Sequence, residues 1–118
     1  MIELYPNKKE NVIVTKSFEF ACDIIDLEEK LQEKRKFVLS NQVARSGLSI
    51  GANVREAQRA VSKPDFINKC GIALKEAEET KYWFEIIERK VFPIDDKLKL
   101  EIESIIKLLV SIINSSKK

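Results

Sequence analysis

A chain of 118 residues with 44% hydrophobic and 34% charged side chains, but only three glycines and three prolines, is typical of one helix-rich globular domain and not of a disordered or all-β chain. Its formal net charge is only +2, so the chain as a whole does not have the strongly basic character of many nucleic-acid-binding domains. Because it contains no histidine, no phosphate-binding loop and no nucleophile motif, we expect neither an enzyme activity nor a metal or cofactor.

The first predicted helix spans about residues 12–33, where apolar side chains recur with a period of about 3.6 residues. They form two neighbouring lines, one of Val14, Phe18, Ala21 and Ile25 and the other of Phe20, Ile24, Leu27 and Leu31. Together the lines predict one broad stripe facing the core. The charged stretch EKRK at 33–36 predicts the turn that follows.

The next two helices are predicted at about 37–60 and 63–91. The predicted core face of the second comprises Leu39, Val43, Ile50, Val54, Ala57 and Val61, and that of the third comprises Phe66, Cys70, Ala73, Ala77, Phe84, Ile87 and Val91. Ser62 is a good N-cap for the third helix, Pro64 fits its first turn, and Asp65 suits the positive end of the helix dipole. Pro93 then ends that helix.

The fourth helix is predicted at about 95–114, with Asp95 as its cap and a seam of Leu98, Ile102, Ile105, Leu109 and Ile112 at alternating four- and three-residue spacing. The polar NSSKK end is expected to fray. Four helices of similar length joined by short turns predict an all-α, up-down-up-down antiparallel four-helix bundle that forms a single domain over residues 1–118.

The second helix contains the stretch RSGLSIGANVREA at 45–57, which is rich in poor helix formers. Its small side chains flank the core face on both sides: Ser40, Ala44, Gly47 and Gly51 on one, and Ser46, Ser49 and Asn53 on the other. Such seams let neighbouring backbones approach closely. They fit tight packing within one bundle, with the polar side chains bonded locally or to water, or a helix shared with a second subunit.

A second stripe of side chains on the third helix favours the interpretation in which the second helix is shared between two subunits. It runs at 4-3-4-3 spacing off the core face and consists of Ile72, Glu76, Glu79, Trp83 and Ile86. An apolar patch of this kind with a tryptophan is typical of an association surface. We therefore predict a homo-oligomer whose interface includes this stripe together with Gly47, Gly51, Ser49 and Asn53. The alternatives are a bundle broad enough to bury both faces, or the N-terminal IELYP stretch folding over Trp83.

Basic side chains form a row opposite the core face of the second helix: Arg45, Arg55 and Arg59, with Lys63 just beyond. Arginine suits phosphate recognition, so the row is a candidate site for RNA or DNA. Glu56 lies in the same sector of the second helix, and Glu76, Glu78 and Glu79 on the third helix can pair with the basic row. The other interpretation is therefore a solvated face of salt bridges. Carboxylate catalysis, for example by Glu76 and Glu79, is a distant third because no pocket or nucleophile is evident.

The remaining features point to a cytoplasmic protein without metal sites. Cys22 and Cys70 are isolated on predicted apolar faces, where free cysteine packs as a small hydrophobe. The N-terminal MIELYPNKKE has neither the apolar region nor the cleavage site of a signal peptide. There is no run of 18 apolar residues, so we expect no membrane span. No small-molecule substrate is evident.

The run from Gln42 to Glu88, with RSGLSIGANVREA, SKPDFINK and ALKEAEETKYWFEIIE in order, resembles a bacterial family. These are four-helix bundle proteins related to those encoded in intervening sequences of large-subunit ribosomal RNA genes. The resemblance implies a small bundle that assembles into a ring, typically a pentamer, with no established enzyme activity. A more distant resemblance, to the accessory protein of diversity-generating retroelements, implies a pentameric barrel that works with a reverse transcriptase and nucleic acid.

These observations predict a non-enzymatic, homo-oligomeric interaction or scaffold protein, with the pentamer as the state that the resemblance implies. The alternative is an RNA- or DNA-binding accessory protein that uses Arg45, Arg55, Arg59 and Lys63.

Overall fold

The computed structural model describes residues 8–118, with side chains from residue 12 onward, and this part of the chain contains four α-helices and no strand. The helices are α1 (Lys8–Glu33), α2 (Phe37–Ala57), α3 (Lys63–Lys90) and α4 (Asp96–Ser116). The predicted all-α class is therefore confirmed over the described residues. The IELYP stretch, considered above as a cover for Trp83, lies outside them.

The turn between α1 and α2 is set by one residue in the left-handed region. Arg35 has φ of 60°. Its amide donates to the Gln32 carbonyl at 2.9 Å, and the Lys36 amide donates to the Leu31 carbonyl at 2.8 Å. These two bonds are the Schellman pattern that ends a helix. The turn predicted at 33–36 is thus present, with arginine where glycine is the usual residue.

The caps predicted for α3 and α4 are confirmed. The Ser62 hydroxyl accepts a hydrogen bond from the Asp65 amide at 3.1 Å, and the Asp65 carboxylate accepts one from the Val61 amide at 3.2 Å. The Asp95 carboxylate accepts from the Lys97 amide at 3.2 Å. Each bond satisfies a backbone donor that a helix start or its flank would leave unpaired.

Two expectations for helix ends were wrong. α2 ends at Ala57 and not near residue 60, because the chain turns there with the Arg59 amide bonded to the Glu56 carbonyl at 3.0 Å. Val61 consequently lies beyond the helix and is 90% exposed, so it is not a core residue. At the other end of the chain, α4 continues to Ser116 through residues that were expected to fray.

Each helix packs against two others. α1 contacts α2 and α4, α3 contacts α2 and α4, and the described residues show no packing across either diagonal. The Ser40 hydroxyl joins the start of α2 to the Glu28 carbonyl near the end of α1, and Lys99 near the start of α4 pairs with Glu88 near the end of α3. The helices therefore enclose one core in a body 44 × 21 × 19 Å in extent.

The core uses only one of the two apolar lines of α1. Phe20, Ile24 and Leu31 are fully buried, whereas Phe18 is 54% and Ile25 39% exposed, so the prediction of one broad buried stripe was wrong. A helix at the corner of a four-helix bundle turns a narrow seam toward the axis, and the second line falls outside it. Cys70 is buried as expected, but Cys22 is exposed.

Within the described residues, no helix combines the length and the apolar character that crossing a bilayer requires.

Candidate interaction surfaces

The glycines of α2 pack against α1 of the same chain. A Cβ atom at Gly47 would lie 2.9 Å from Cγ1 of Ile24, and one at Gly51 would lie 3.3 Å from the Ser17 carbonyl oxygen. A methyl group at Gly47 would overlap the Ile24 side chain, and one at Gly51 would crowd the backbone of α1, so both glycines mark close packing of α2 on α1. This close approach explains why α2 accepts poor helix formers, while a further role of the glycines between subunits stays a prediction.

The polar side chains on the other flank of α2 bond within the chain. The hydroxyl of Ser46 accepts a hydrogen bond from the buried Thr80 hydroxyl at 2.8 Å. Ser49 Oγ donates to the Arg45 carbonyl at 2.6 Å, and Asn53 Nδ2 donates to the Ser49 carbonyl at 2.8 Å. Each of these three side chains thus has a hydrogen-bond partner within the chain, as the local-bonding interpretation of the sequence expected.

The second stripe of α3 lies beside this flank, and all its members are partly buried. The indole of Trp83 packs against the edge of the core and against the Tyr82 ring, at 5.2 Å between ring centroids. Its Nε1 donates to Glu79 Oε2 at 3.2 Å. The chain therefore covers part of the tryptophan, supplies its polar partner, and leaves the rest of the ring accessible.

Arg45 joins α2 to this stripe. Its guanidinium is 3.4 Å from Glu76 Oε1, and it also contacts Glu79 Oε2 and the Gln42 side chain. One cation therefore serves two carboxylates. We call the whole surface the α2–α3 face; it comprises Arg45, Ser49, Asn53, Ile72, Glu76, Glu79, Trp83 and Ile86.

The four basic candidates do not form one cluster. Arg45 is held by the acids of α3, in agreement with the salt-bridge interpretation. The Arg55 guanidinium lies over the Phe18 ring, 5.3 Å from its centroid, on the α1 side of α2. Lys63 Nζ donates to the Lys118 carbonyl at 2.9 Å, and Arg59 is exposed. Of the four candidates, Arg55 and Arg59 are the two for which the described residues show no hydrogen bond or ion pair from the side chain.

A second surface was missed by sequence reasoning. A shallow groove between α1 and α2 is lined by Phe18, Ala21, Leu48, Gly51, Ala52 and Arg55. Phe18, Ile25 and Leu48 are exposed beside it, because the outer apolar line of α1 is not part of the core. We call this surface, with Val14, the α1–α2 face. The sequence feature that could have indicated this surface is the apolar stripe of α1, which is wider than the strip of a helix that packs into the core of one bundle.

Among the described acidic groups, Glu101 on α4 is the one whose pKa is clearly raised. The described residues contain no group of three or more potential ligands that could hold a metal ion. Burial, reinforced by the neighbouring Asp23, raises the pKa of Glu101 to about 7, although Lys97 opposes the shift. Lys97 Nζ in turn lies 3.1 Å from Asp23 Oδ2. This pair joins α1 to α4, where the adjoining cleft of about 250 Å³ is open to solvent.

Comparisons with known proteins agree with this fold. The model of a family described as 23S rRNA-intervening sequence protein matches residues 9–114. A crystal structure from Bacteroides thetaiotaomicron, described as a protein with unknown function from the S23 ribosomal protein family, is 48% identical with a TM-score of 0.84. The match covers 90% of this chain and 98% of that one. No curated protein matches the chain.

Proposed function

The chain belongs to the 23S rRNA-intervening sequence protein family, as the motif at 42–88 indicated, and we propose that it is a non-enzymatic, homo-oligomeric interaction or scaffold protein of the cytoplasm. The observation that carries the proposal is the α2–α3 face. There Ile72, Trp83 and Ile86 remain partly exposed, although Trp83 also packs against the edge of its own core. Burying aromatic and aliphatic groups of this kind is the main driving force of subunit association.

The proposed subunit is an up-down-up-down antiparallel bundle. Cross-helix contacts in reversed sequence order support this topology. Ser46 on α2 meets Thr80 on α3, whereas Glu56, further along α2, meets Lys69, earlier in α3. The pairing of each helix with two neighbours is also the pattern of such a bundle. A pentamer is the assembly that the family resemblance implies.

Light scattering on a sizing column tests the proposed assembly. We expect the wild type to elute at a multiple of the 13.6 kDa subunit mass. Trp83→Asp should elute as a monomer, because it places a charge in the middle of the α2–α3 face. Leu100→Asp is the matched control, since Leu100 is 71% exposed on α4, away from this face. A wild type that is monomeric at micromolar concentration would contradict the proposal.

An RNA- or DNA-binding accessory role is the second candidate. Arg55 and Arg59 favour it, because among the described residues no carboxylate lies within ion-pair distance of either. Arg55→Glu with Arg59→Glu should then weaken RNA binding and flatten its salt dependence, since each lost phosphate contact lowers the slope by about one. Arg89→Glu with Lys90→Glu is the control of equal charge change on α3. Binding indifferent to salt and to both reversals would argue against the role.

A further inference from the structure

The formal net charge of +2 is distributed unevenly along the bundle. Basic side chains predominate at the end where α2 leads into α3 and where α4 stops, and residues 104–118 contain no acid at all. At the opposite end, Asp95, Asp96 and the acids in the last turns of α1 balance the cations of the two connections there. We call the first of these the basic end; it comprises Arg55, Arg59, Lys63, Lys107, Lys117 and Lys118.

Contacts between elements hold several of these cations together. Lys63 Nζ at the start of α3 donates to the Lys118 carbonyl at 2.9 Å, which joins the start of α3 to the last residues of the described chain. Arg59 lies in the turn that leads from α2 to Lys63, and Arg55 lies one turn earlier in α2. Residues that are far apart in the sequence are therefore neighbours at this end.

The acids nearby do not neutralise the basic end. Glu56 is already paired, because Lys69 Nζ lies 2.8 Å from its Oε1. The Asp65 carboxylate accepts a hydrogen bond from the Val61 amide. Among the described residues, none of the six cations of the basic end forms an ion pair with an aspartate or a glutamate. Concentrated positive charge of this kind attracts a polyanion, which gains free energy from the counterions it releases on binding.

The reach of the charge favours a nucleic acid over a membrane surface. Lys107 lies ten residues before Lys117 on α4, about 15 Å further along the helix. A flat bilayer against the tip would leave Lys107 beyond the Debye length of about 8 Å, whereas a nucleic-acid backbone carries phosphates along its whole length. Val61, the exposed apolar side chain of the α2–α3 turn, is one aliphatic group and offers a bilayer little to insert.

We propose that the basic end docks on the phosphodiester backbone of a nucleic acid. The contacts are to phosphates, so binding should not depend on base sequence. The inference goes beyond the proposed assembly and deepens the second candidate role, on which it rests, by adding the lysines of α4 and locating the site at one end of the bundle. Arg45, which Glu76 and Glu79 hold, is not part of this site.

Charge reversal on α4 tests the site without changing the arginines of α2. Lys107→Glu with Lys117→Glu should weaken binding of a fluorescently labelled RNA duplex by on the order of tenfold for each lost phosphate contact at about 0.1 M salt. It should also lower the slope of log affinity against log salt by about two. Lys34→Glu with Lys36→Glu is the matched control, because it makes the same charge change in the exposed turn at the opposite end, and it should bind like the wild type.

A second pair of substitutions covers the case in which the reversal unfolds α4. If circular dichroism shows lost helix, Lys107→Gln with Lys117→Gln replaces it, and the same change in slope is expected with a smaller loss of affinity. Vesicles that contain phosphatidylserine provide the competing probe, and the wild type should bind the RNA duplex more tightly than the vesicles.

The outcomes separate this site from the role on which it rests. A wild type that does not bind the duplex contradicts both. Binding that Arg55→Glu with Arg59→Glu abolishes, but that neither α4 pair changes, keeps the role and overturns the site at the end of the bundle. Equal weakening by the α4 pair and by the control overturns the site as well, because net charge alone would then account for the loss. Tighter binding to the vesicles than to RNA overturns the choice of a nucleic acid.

Discussion

At the residue scale, the three glycines all lie inside helices but differ in how closely neighbouring atoms approach them. Gly47 and Gly51 are positions of close approach between α1 and α2, whereas a Cβ atom at Gly71 on α3 would meet nothing within 4 Å. The helix propensity lost by glycine is similar at each position, about 1 kcal/mol relative to alanine. What differs is the space around them, which only neighbouring helices determine.

We therefore expect opposite effects from one substitution at two sites. Gly71→Ala should raise the free energy of unfolding by up to about 1 kcal/mol, because it gains helix propensity in open space. Gly47→Ala should lower it by about 1 kcal/mol, because the new methyl group would overlap the buried Ile24 and overpacking outweighs the propensity gain. Urea denaturation of both variants measures the difference. Equal shifts of the same sign would contradict this account of the seam.

At the scale of elements, the α1–α4 seam carries a partly buried acid, one oxygen of which has no hydrogen-bond donor among the described residues. Glu101 Oε1 on α4 has no hydrogen-bond partner in the part of the chain that the structure describes. It faces Asp23 and Glu19 of α1, with Lys97 as the nearby cation. The pKa of Glu101 is raised mainly because partial burial disfavours its charged form, and further because the protonated form can share a hydrogen bond with Asp23 and is not repelled by it.

This pair predicts a pH dependence of stability. The pKa of Glu101 is about 7 in the fold against 4.5 for an ordinary glutamate, so its contribution is complete below about pH 4.5 and is lost as pH rises through about 7. Glu101→Gln stays neutral, and we expect it to gain on the order of 1 kcal/mol at about pH 8, after allowance for solvent screening, and little at about pH 5. Denaturant midpoints at both values, with Glu78→Gln as the exposed control, measure this. A stability gain of Glu101→Gln that is the same at both pH values would argue against a raised pKa of Glu101 beside Asp23.

At the scale of the whole molecule, the bundle leaves apolar side chains exposed on two faces, one on each side of α2. α2 carries the motif of small residues, so one helix serves both the intramolecular seam with α1 and the proposed interface on the α2–α3 face. Stability and assembly are then coupled, because subunits that bind one another in the folded state favour that state by mass action.

Thermal unfolding should therefore depend on protein concentration. We expect the wild-type midpoint to rise by a few degrees for a tenfold rise in concentration, since association stabilises folded subunits. Trp83→Asp should remove the dependence, and Leu100→Asp should keep it. Scanning calorimetry over this range provides the measurement, and a wild-type midpoint that is constant would contradict a coupled assembly.

Much of the fold could be predicted from local patterns. The four helices, the caps at Ser62 and Asp95 and the turn at 33–36 follow from an apolar period and from side chains that bond backbone groups within a few residues. The family was equally evident, because its motif is a continuous run. The candidate surface was only half predicted: the stripe of α3 was found, and the α1–α2 face was not.

The sequence by itself determined where the four helices form, how α3 and α4 start and which family the chain belongs to, because each depends on neighbours along the chain. The tertiary structure alone decided that Phe20 and not Phe18 enters the core, and that Arg45 is held by acids 31 and 34 residues away. Periodicity places apolar side chains on a helix surface, but the orientation of that surface is set by the helices packed around it.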